Sequence, residues 1–327
     1  MSKKLPKISI IIPCYNLGEY LDACLDSISK QPDGDVEYIF VNDGSTDNTL
    51  KKLEDYIKNH PDCKLLSQKN AGVSAARNAA LDVCSGDYIY LLDGDDILTD
   101  NAVRLMLEDL SNDKVDLIIS QVEKIRNGQN IPIILPFKEG LFSPRDLYKS
   151  VTYFHPAPQL LYRRSIIERY ALKFNSNLSL GEVYDFTVRF MVYAKLIKVV
   201  ENGYFMYVTR SASATQAPNY LRDITIINTI KEYNHNGKGL RDIPSFKLTN
   251  FKMMLGFTYN KYLKQRLNNP ETYDAIKQLL SNPIAKECIS NIIRCKEINF
   301  KDRIFAIFIK LTGVSGYKLL NMYLKRK

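Results

Sequence analysis

Apolar positions in the first hundred residues follow two alternating rhythms. Lys7 to Ile12 (KISIII), Val36 to Val41, Leu65-Leu66 and Tyr88 to Leu92 are short, nearly continuous apolar runs, the pattern of strands buried on both faces. Between them apolar residues recur at helical spacing, as at Leu21, Leu25 and Ile28 within Gly18 to Ser29, and again over Asp47 to Lys58, Val73 to Val83 and Ala102 to Leu110. Strands alternating with helices predict βαβ units around a parallel sheet, with right-handed crossovers and ligands beyond the strands' carboxyl ends. Three polar turns stand at such ends: Pro13-Cys14-Tyr15-Asn16, Asn42-Asp43-Gly44-Ser45 and Asp93-Gly94-Asp95-Asp96.

From Asp116 to about Arg210 the alternation loosens. Strand-like pieces near Leu117 to Val122, Gln159 to Tyr162 and Tyr204 to Tyr207, with helices near Ser165 and over Val183 to Ala194, complete the same sheet. After Thr215 strand signals fade. Asp223 to Glu232, Phe246 to Arg266, Thr272 to Leu280 and Asp302 to Tyr323 carry helical spacing with many lysines, so residues 216–327 are expected as a helical, basic region behind a domain of residues 1–215.

Composition narrows the class. Of 327 residues 45% are apolar and 25% charged, which fits a folded globular chain and excludes disorder and low complexity. No apolar run approaches the roughly 18 residues of a spanning helix, and Met1 to Lys7 precedes too short an apolar stretch for a signal peptide. The expected location is cytoplasmic. Six dispersed cysteines, none in a CxxC pair, read as reduced core thiols, and three scattered histidines make no metal site. The net charge of +9 hides an asymmetry. Residues 1–150 hold 17 Lys and Arg against 24 Asp and Glu, whereas the remainder holds 28 against 12. A basic half can bind anions, but no nucleic-acid motif accompanies it.

Candidate chemistry concentrates at the strand ends. Asp93 and Asp95 flank Gly94 directly after a hydrophobic strand, and an acidic turn there suits Mg2+ or Mn2+, which take one or two carboxylates plus a substrate's phosphates. Asp96 or Asp100 has a plainer reading as a cap of the following helix. Asp43, ending its strand, either accepts hydrogen bonds from a base or ribose or stabilises the bend, and Asp47 reads as a helix N-cap. GxGxxG, GxxxxGK[ST] and GxSxG are all absent, which removes the main support for dehydrogenase, P-loop NTPase and serine-hydrolase readings.

Four ordered motifs, Ser9 to Asn16 with Tyr20-Leu21, Val41 to Thr49 (VNDGSTDNT), Asn70 to Leu81 (NAGVSAARNAAL) and Gly86 to Asp96 (GDYIYLLDGDD), resemble those of family 2 glycosyltransferases, over about residues 7–215. The resemblance implies a GT-A fold: a nucleotide-binding, Rossmann-like mixed α/β sheet flanked by helices, here with the helical appendage. It implies a metal-dependent, inverting hexosyltransferase that uses a nucleotide-sugar, with UDP the expected nucleotide. By the same resemblance Pro13 and Tyr15 line the base, Asp43 bonds the base or ribose, Asp93 approaches the ribose and Asp95 binds the metal. Arg77 lies near the nucleotide or diphosphate, or is a helix-surface arginine. Arg210, in the segment Tyr207 to Thr215, meets the diphosphate or forms a surface salt bridge.

Inverting transfer needs a general base for the acceptor hydroxyl. The family's aspartate position in its Gly-Glu-Asp stretch is Val183 here, in Gly181-Glu182-Val183-Tyr184-Asp185. Glu182 is the expected base and Asp185, one helical turn onward, the alternative. Loss of catalysis, leaving a nucleotide-sugar-binding or scaffold protein, is the rival reading. Arg163-Arg164 is assigned to the fold, and His155 to a loop. The resemblance also implies a glycan or polyprenyl-diphosphate-linked acceptor in cell-surface polysaccharide synthesis. The apolar band from Ile304 to Leu311, set among lysines, adds a possible anionic membrane surface at the inner face of the cell membrane.

Overall fold

The computed structural model describes residues 7–32, 34–110, 114–126, 129–133, 137–150, 160–178, 181–208, 247–248 and 270–324. Arg210, His155, the helix expected over Asp223 to Glu232 and nearly all of that over Phe246 to Arg266 lie outside them. Two compact units interleave along the chain. The first comprises Met1–Pro144, Pro156–Asn177 and Tyr193–Arg210, the second Arg145–His155, Leu178–Val192 and Ser211–Lys327.

The first unit is one mixed sheet with helices. Its strands are β1 (Ile8–Cys14), β2 (Val36–Asn42), β3 (Cys63–Ser67), β4 (Tyr88–Leu91), β5 (Ile97–Leu98), β6 (Leu117–Arg126), β7 (Gln129–Ile133), β8 (Gly140–Phe142), β9 (Leu160–Arg163) and β10 (Ile197–Val208). They run in the order β3-β2-β1-β4-β9-β6-β10-β5, with β7 beside β6 and β8 beside β10. β3, β2, β1 and β4 are parallel, while β9 is antiparallel to both β4 and β6. Every residue of β1 and β2 is buried, as their nearly continuous apolar runs require. The helices of this unit are α1 (Leu21–Ser29), α2 (Thr49–Ile57), α3 (Val73–Leu81), α4 (Ala102–Asp109) and α6 (Arg164–Arg169). Leu21, Cys24, Leu25 and Ile28 bring the apolar stripe of α1 into the same core as Ile10, Ile12, Phe40, Tyr90 and Met106.

The second unit holds most of α5 (Pro144–Lys149), all of α7 (Glu182–Met191), and α8 (Pro270–Ser281), α9 (Pro283–Arg294) and α10 (Phe300–Leu324). α7 is buried on nearly every side, from Val183 to Val188 and at Phe190 and Met191. Asn282 caps α9 by accepting the Ile284 amide at 3.0 Å, with Pro283 in the first turn where its missing N–H costs nothing. α10 is broken at Gly313, whose φ of 52° and ψ of −133° are not helical.

Several strands escape the periodicity. β5 has two residues and exists only by pairing with Phe205 and Met206. β10 begins at Ile197, well before the piece expected at Tyr204 to Tyr207, because pairing with β6 continues across two register shifts. The first helix begins at Leu21 rather than Gly18, since the Leu17 carbonyl closes a turn onto the Tyr20 amide.

At the amino edge of the sheet Glu37 pins three segments together. Its Oε1 accepts the Ser9 hydroxyl at 2.6 Å, the Ser85 amide at 2.6 Å and hydroxyl at 2.8 Å, and the Gly86 amide at 3.2 Å, while Oε2 meets Lys64 Nζ at 2.6 Å. Burial pushes this carboxyl up, but the bonds from Lys64, Ser9 and Ser85 outweigh it and hold the carboxyl below its usual value. A lowered folded pKa contributes stability that is complete above the unfolded value and is lost as pH falls through the folded one. Glu37→Gln should therefore cost about 2 kcal/mol near neutrality and flatten the acid limb of the stability profile below the ordinary glutamate pKa of about 4.3. Urea titrations of both forms across that range check this; parallel acid limbs would mean that Glu37 carries no such linkage.

Candidate active site

The carboxyl ends of β1, β2, β3 and β4 meet along one edge, with Cys14 opposite Asn42 and Asn42 opposite Ser67. The polar turns of the sequence all emerge there, and side-chain bonds sew the first two to one another. The Asn16 amide donates to Ser45 Oγ at 3.1 Å, and Asn16 Oδ1 accepts the Thr46 amide at 2.8 Å. Asp47 accepts the amides of Gly18 and Thr49, each at 2.9 Å, and Thr49 Oγ1 accepts the Leu17 amide at 2.7 Å. The N-cap position of α2 is thus Asn48, not Asp47, whose carboxylate ties the helix start to the loop after β1. Pro13 is buried at the end of β1, whereas Tyr15 leaves that loop half exposed.

Asp43 is buried and strongly held. Its Oδ1 accepts Gln68 Nε2 at 2.7 Å and the Ala71 amide at 2.9 Å, and Oδ2 accepts the Gly72 amide at 2.8 Å. Both lone pairs of Oδ1 are engaged, and Oδ2 keeps one acceptor position. The bend-stabilising reading of Asp43 is therefore realised across two loops rather than within one. Gly44 makes this approach possible: its φ is +71°, and a Cβ there would stand 2.6 Å from the Asn70 amide nitrogen.

The loop that Asp43 grips opens α3, and α3 carries Arg77 inward. At 2% exposure Arg77 is no surface arginine. Its Nη2 pairs with Asp93 Oδ1 at 2.9 Å, and its guanidinium lies 5.5 Å from the Phe174 ring centroid. Phe174 is in turn clamped by Asn78, which donates to its carbonyl at 2.8 Å and accepts its amide at 2.7 Å.

Asp93 opens the acidic turn, its carbonyl accepting the Asp96 amide at 2.9 Å. Gly94 sits against the end of β1 and the loop after it, where a Cβ would come within 2.8 Å of Leu17 Cδ1 and 2.9 Å of Cys14 Sγ, so a larger residue would have to displace one of those buried side chains. Asp93 and Asp95 remain half exposed. The Cys14 thiol is pushed far up, first by burial and then by the charges of Asp95 and Asp93. Asp96 is buried and accepts the Val208 amide at 3.0 Å, which fastens the turn to the end of β10. The helix-cap reading of Asp96 does not hold, since Asn101 precedes α4. Neither Gln68 nor Phe174 carries a signal in the sequence; their importance comes from the loops that bring them alongside.

In the second unit, Glu182 begins α7 half exposed, and Val183 is buried. Asp185 is 1% exposed, and its Oδ2 accepts Arg189 Nε at 3.0 Å and Nη2 at 2.6 Å across one turn.

The mixed sheet, with polar loops and an acidic turn at its carboxyl edge, defines a GT-A glycosyltransferase fold. Residues 9–171 match the family model Glycosyl transferase family 2, and the chain belongs to that family. It is 28% identical over 222 residues to the uncharacterized glycosyltransferase EpsJ of Bacillus subtilis (strain 168), covering 65% of this chain and 64% of EpsJ. It is 26% identical to the chondroitin synthase of Pasteurella multocida (strain Pm70), covering 99% of this chain and 36% of that protein. The chain thus spans less than two thirds of either relative. Crystalline S. aureus TarS 1-349 in complex with UDP-GlcNAc shares the fold at a TM-score of 0.73 and 20% identity, over 98% of this chain and 92% of that one.

Among the described residues no helix is long and apolar enough to cross a membrane. All six cysteines are free, but only Cys14, Cys24 and Cys288 are buried core thiols, while Cys63, Cys84 and Cys295 are half-buried.

Asp43→Ala removes the only acceptors that the Ala71 and Gly72 amides have among the described contacts. Their hydrogen exchange should accelerate, and stability should fall by about 2–3 kcal/mol. Unchanged exchange at both amides would show that the loop stands without the carboxylate.

Proposed function

We propose that the protein is an inverting glycosyltransferase that moves a sugar from a UDP-sugar to a hydroxyl of a glycan or lipid-linked acceptor in cell-surface polysaccharide synthesis. The observation that carries this reading is the pairing of buried Arg77 with half-exposed Asp93 beside Asp95, on a loop edge held together by Asp43. In this reading Pro13 and Tyr15 line the base, Asp43 offers its remaining acceptor position to base or ribose, and Asp93, oriented by Arg77, faces the ribose. Arg210 meets the diphosphate. The UDP assignment draws on the TarS complex, and the glycan acceptor on the chondroitin synthase. The GT-A domain is taken as residues 1–215, with the helical basic region behind it.

Asp95, with Asp93 across Gly94, supplies the one or two carboxylates that Mn2+ or Mg2+ uses when phosphates complete its shell, so the residues fit such an ion. Bound there, the ion would neutralise charge on the departing diphosphate. The base is Glu182. Asp185 is held by two guanidinium N–H groups and is closed to solvent, whereas Glu182 stands half exposed at the start of α7. The acceptor hydroxyl gives its proton to the Glu182 carboxylate. Its oxygen then bonds the anomeric carbon opposite the diphosphate, and the carbon–oxygen bond to the diphosphate breaks, which inverts the centre.

Val183, buried where the family's aspartate is expected, favours one rival: a nucleotide-sugar-binding or scaffold protein without turnover. UDP release from a UDP-sugar separates the two. We also assign the protein to the inner face of the cell membrane, as a peripheral component that works on carrier-bound acceptors.

Two substitutions test the roles. Asp95→Asn should weaken Mn2+-dependent UDP binding at least about tenfold; undiminished binding, measured by calorimetry, removes Asp95 from the metal. Glu182→Gln keeps the shape but accepts no proton, so kcat should fall by about 10²–10⁴ with donor binding nearly intact. Normal transfer by Glu182→Gln, together with loss in Asp185→Asn, would move the base to Asp185.

A further inference from the structure

α10 is amphipathic on two sides. Ala306 and Ile309 face inward and are buried, in the helix that packs on α9 and α8. On another face Phe300 is 75% exposed, Ile304 48%, Ile307 39% and Leu311 79%. Single exposed apolar residues are ordinary, but these are four of the ten large apolar side chains exposed among the described residues, and they are in register. At 3.6 residues per turn, the four fall within an arc of about 60°.

Cations border that arc on both sides. Lys301 is exposed beyond Ile304, and Lys310 beyond Ile307, with half-buried Arg303 next to it, its Nε donating to the Ile293 carbonyl at 3.3 Å. Asp302, the one carboxylate between Phe300 and Gly313, projects from the far side, where Asn299 Nδ2 donates to it at 2.7 Å. The helix breaks at Gly313, just past Leu311.

We infer that Phe300, Ile304, Ile307 and Leu311 form the face by which this chain enters an anionic lipid surface. The inference rests on the membrane assignment made above and gives it a defined contact. Charge selects the occupant. Pairing two copies along this stripe would bring Lys301 and Lys310 of each against the like-charged flanks of the other, whereas anionic headgroups neutralise them while acyl chains receive the four apolar side chains. The stripe is about one third of a helix circumference or less, so the helix lies in the interface and does not span it.

Flotation of the full chain with vesicles of equimolar phosphatidylglycerol and phosphatidylcholine tests this, beside vesicles of phosphatidylcholine alone. The wild type should float with the anionic vesicles and far less with the neutral ones. Ile304→Ser with Leu311→Ser should lower the floated fraction at least about tenfold. Lys301→Gln with Lys310→Gln should shift binding to lower salt. Thermal midpoints and UDP binding should stay at wild-type levels, since these side chains are exposed and none of them has a role in donor binding. Equal flotation of the serine variant and wild type overturns the inference. So does a concentration-dependent dimer, seen by sedimentation, that the serine variant abolishes without any flotation of the wild type. Flotation without UDP binding would uphold the lipid face and overturn the glycosyltransferase reading instead.

Discussion

A guanidinium taken out of water needs a counter-charge within reach, and Arg77 finds it in Asp93 at 2.9 Å. Much of the first unit is arranged around that requirement. Arg77 arrives on α3, whose opening loop is fixed by Asp43 through the Ala71 and Gly72 amides. Asp93 arrives on the turn after β4, which Gly94 seats against Cys14 and Leu17 and Asp96 fastens to Val208. Phe174 covers the guanidinium and is itself clamped by Asn78. Segments distant in the chain are thereby held at fixed distances before any ligand binds, which is the preorganisation that the proposed recognition of a charged nucleotide needs.

The two edges of the sheet treat carboxylates differently. At the amino edge Glu37 is saturated by hydroxyls, amides and a lysine, and its work is to lock β1, β2 and the loop before β4. At the carboxyl edge Asp93 and Asp95 are left half exposed, and Asp43 retains an acceptor position. Exposure separates Asp185, buried and paired with Arg189, from Glu182, half exposed at the start of the same helix.

Charge is divided along the chain in the same sense. The acidic first half holds the turn suited to a cation, and the basic remainder ends in helices whose exposed apolar stripe is bordered by lysines. Opposite preferences can coexist in one chain because screening confines each to its own surroundings.

The hydrophobic rhythm alone determined the parallel core, since β1, β2 and β4 are buried on both faces and their apolar runs have no other use. It also marked the strand ends where Asp43, Asp93 and Asp95 stand, because ligand-facing turns interrupt apolar runs at those points. The ordered motifs led from there to the family. Tertiary structure decided what local pattern cannot encode. β5 and the middle of β10 are strands only because partners distant in sequence offer them hydrogen bonds. Arg77 shares a helix face with Ser74 and Ala80, and a charged side chain can stay buried there only because Asp93 and Phe174 come from other segments to meet it. Asp96 shows no difference from its neighbours in sequence, yet it binds an amide 112 residues away. In the tail, Ile304, Ile309 and Leu311 are equally apolar in sequence, and packing alone determines that Ile309 is core while the other two face outward. Periodicity reports which residues share a face; only the contacts between elements say what that face meets.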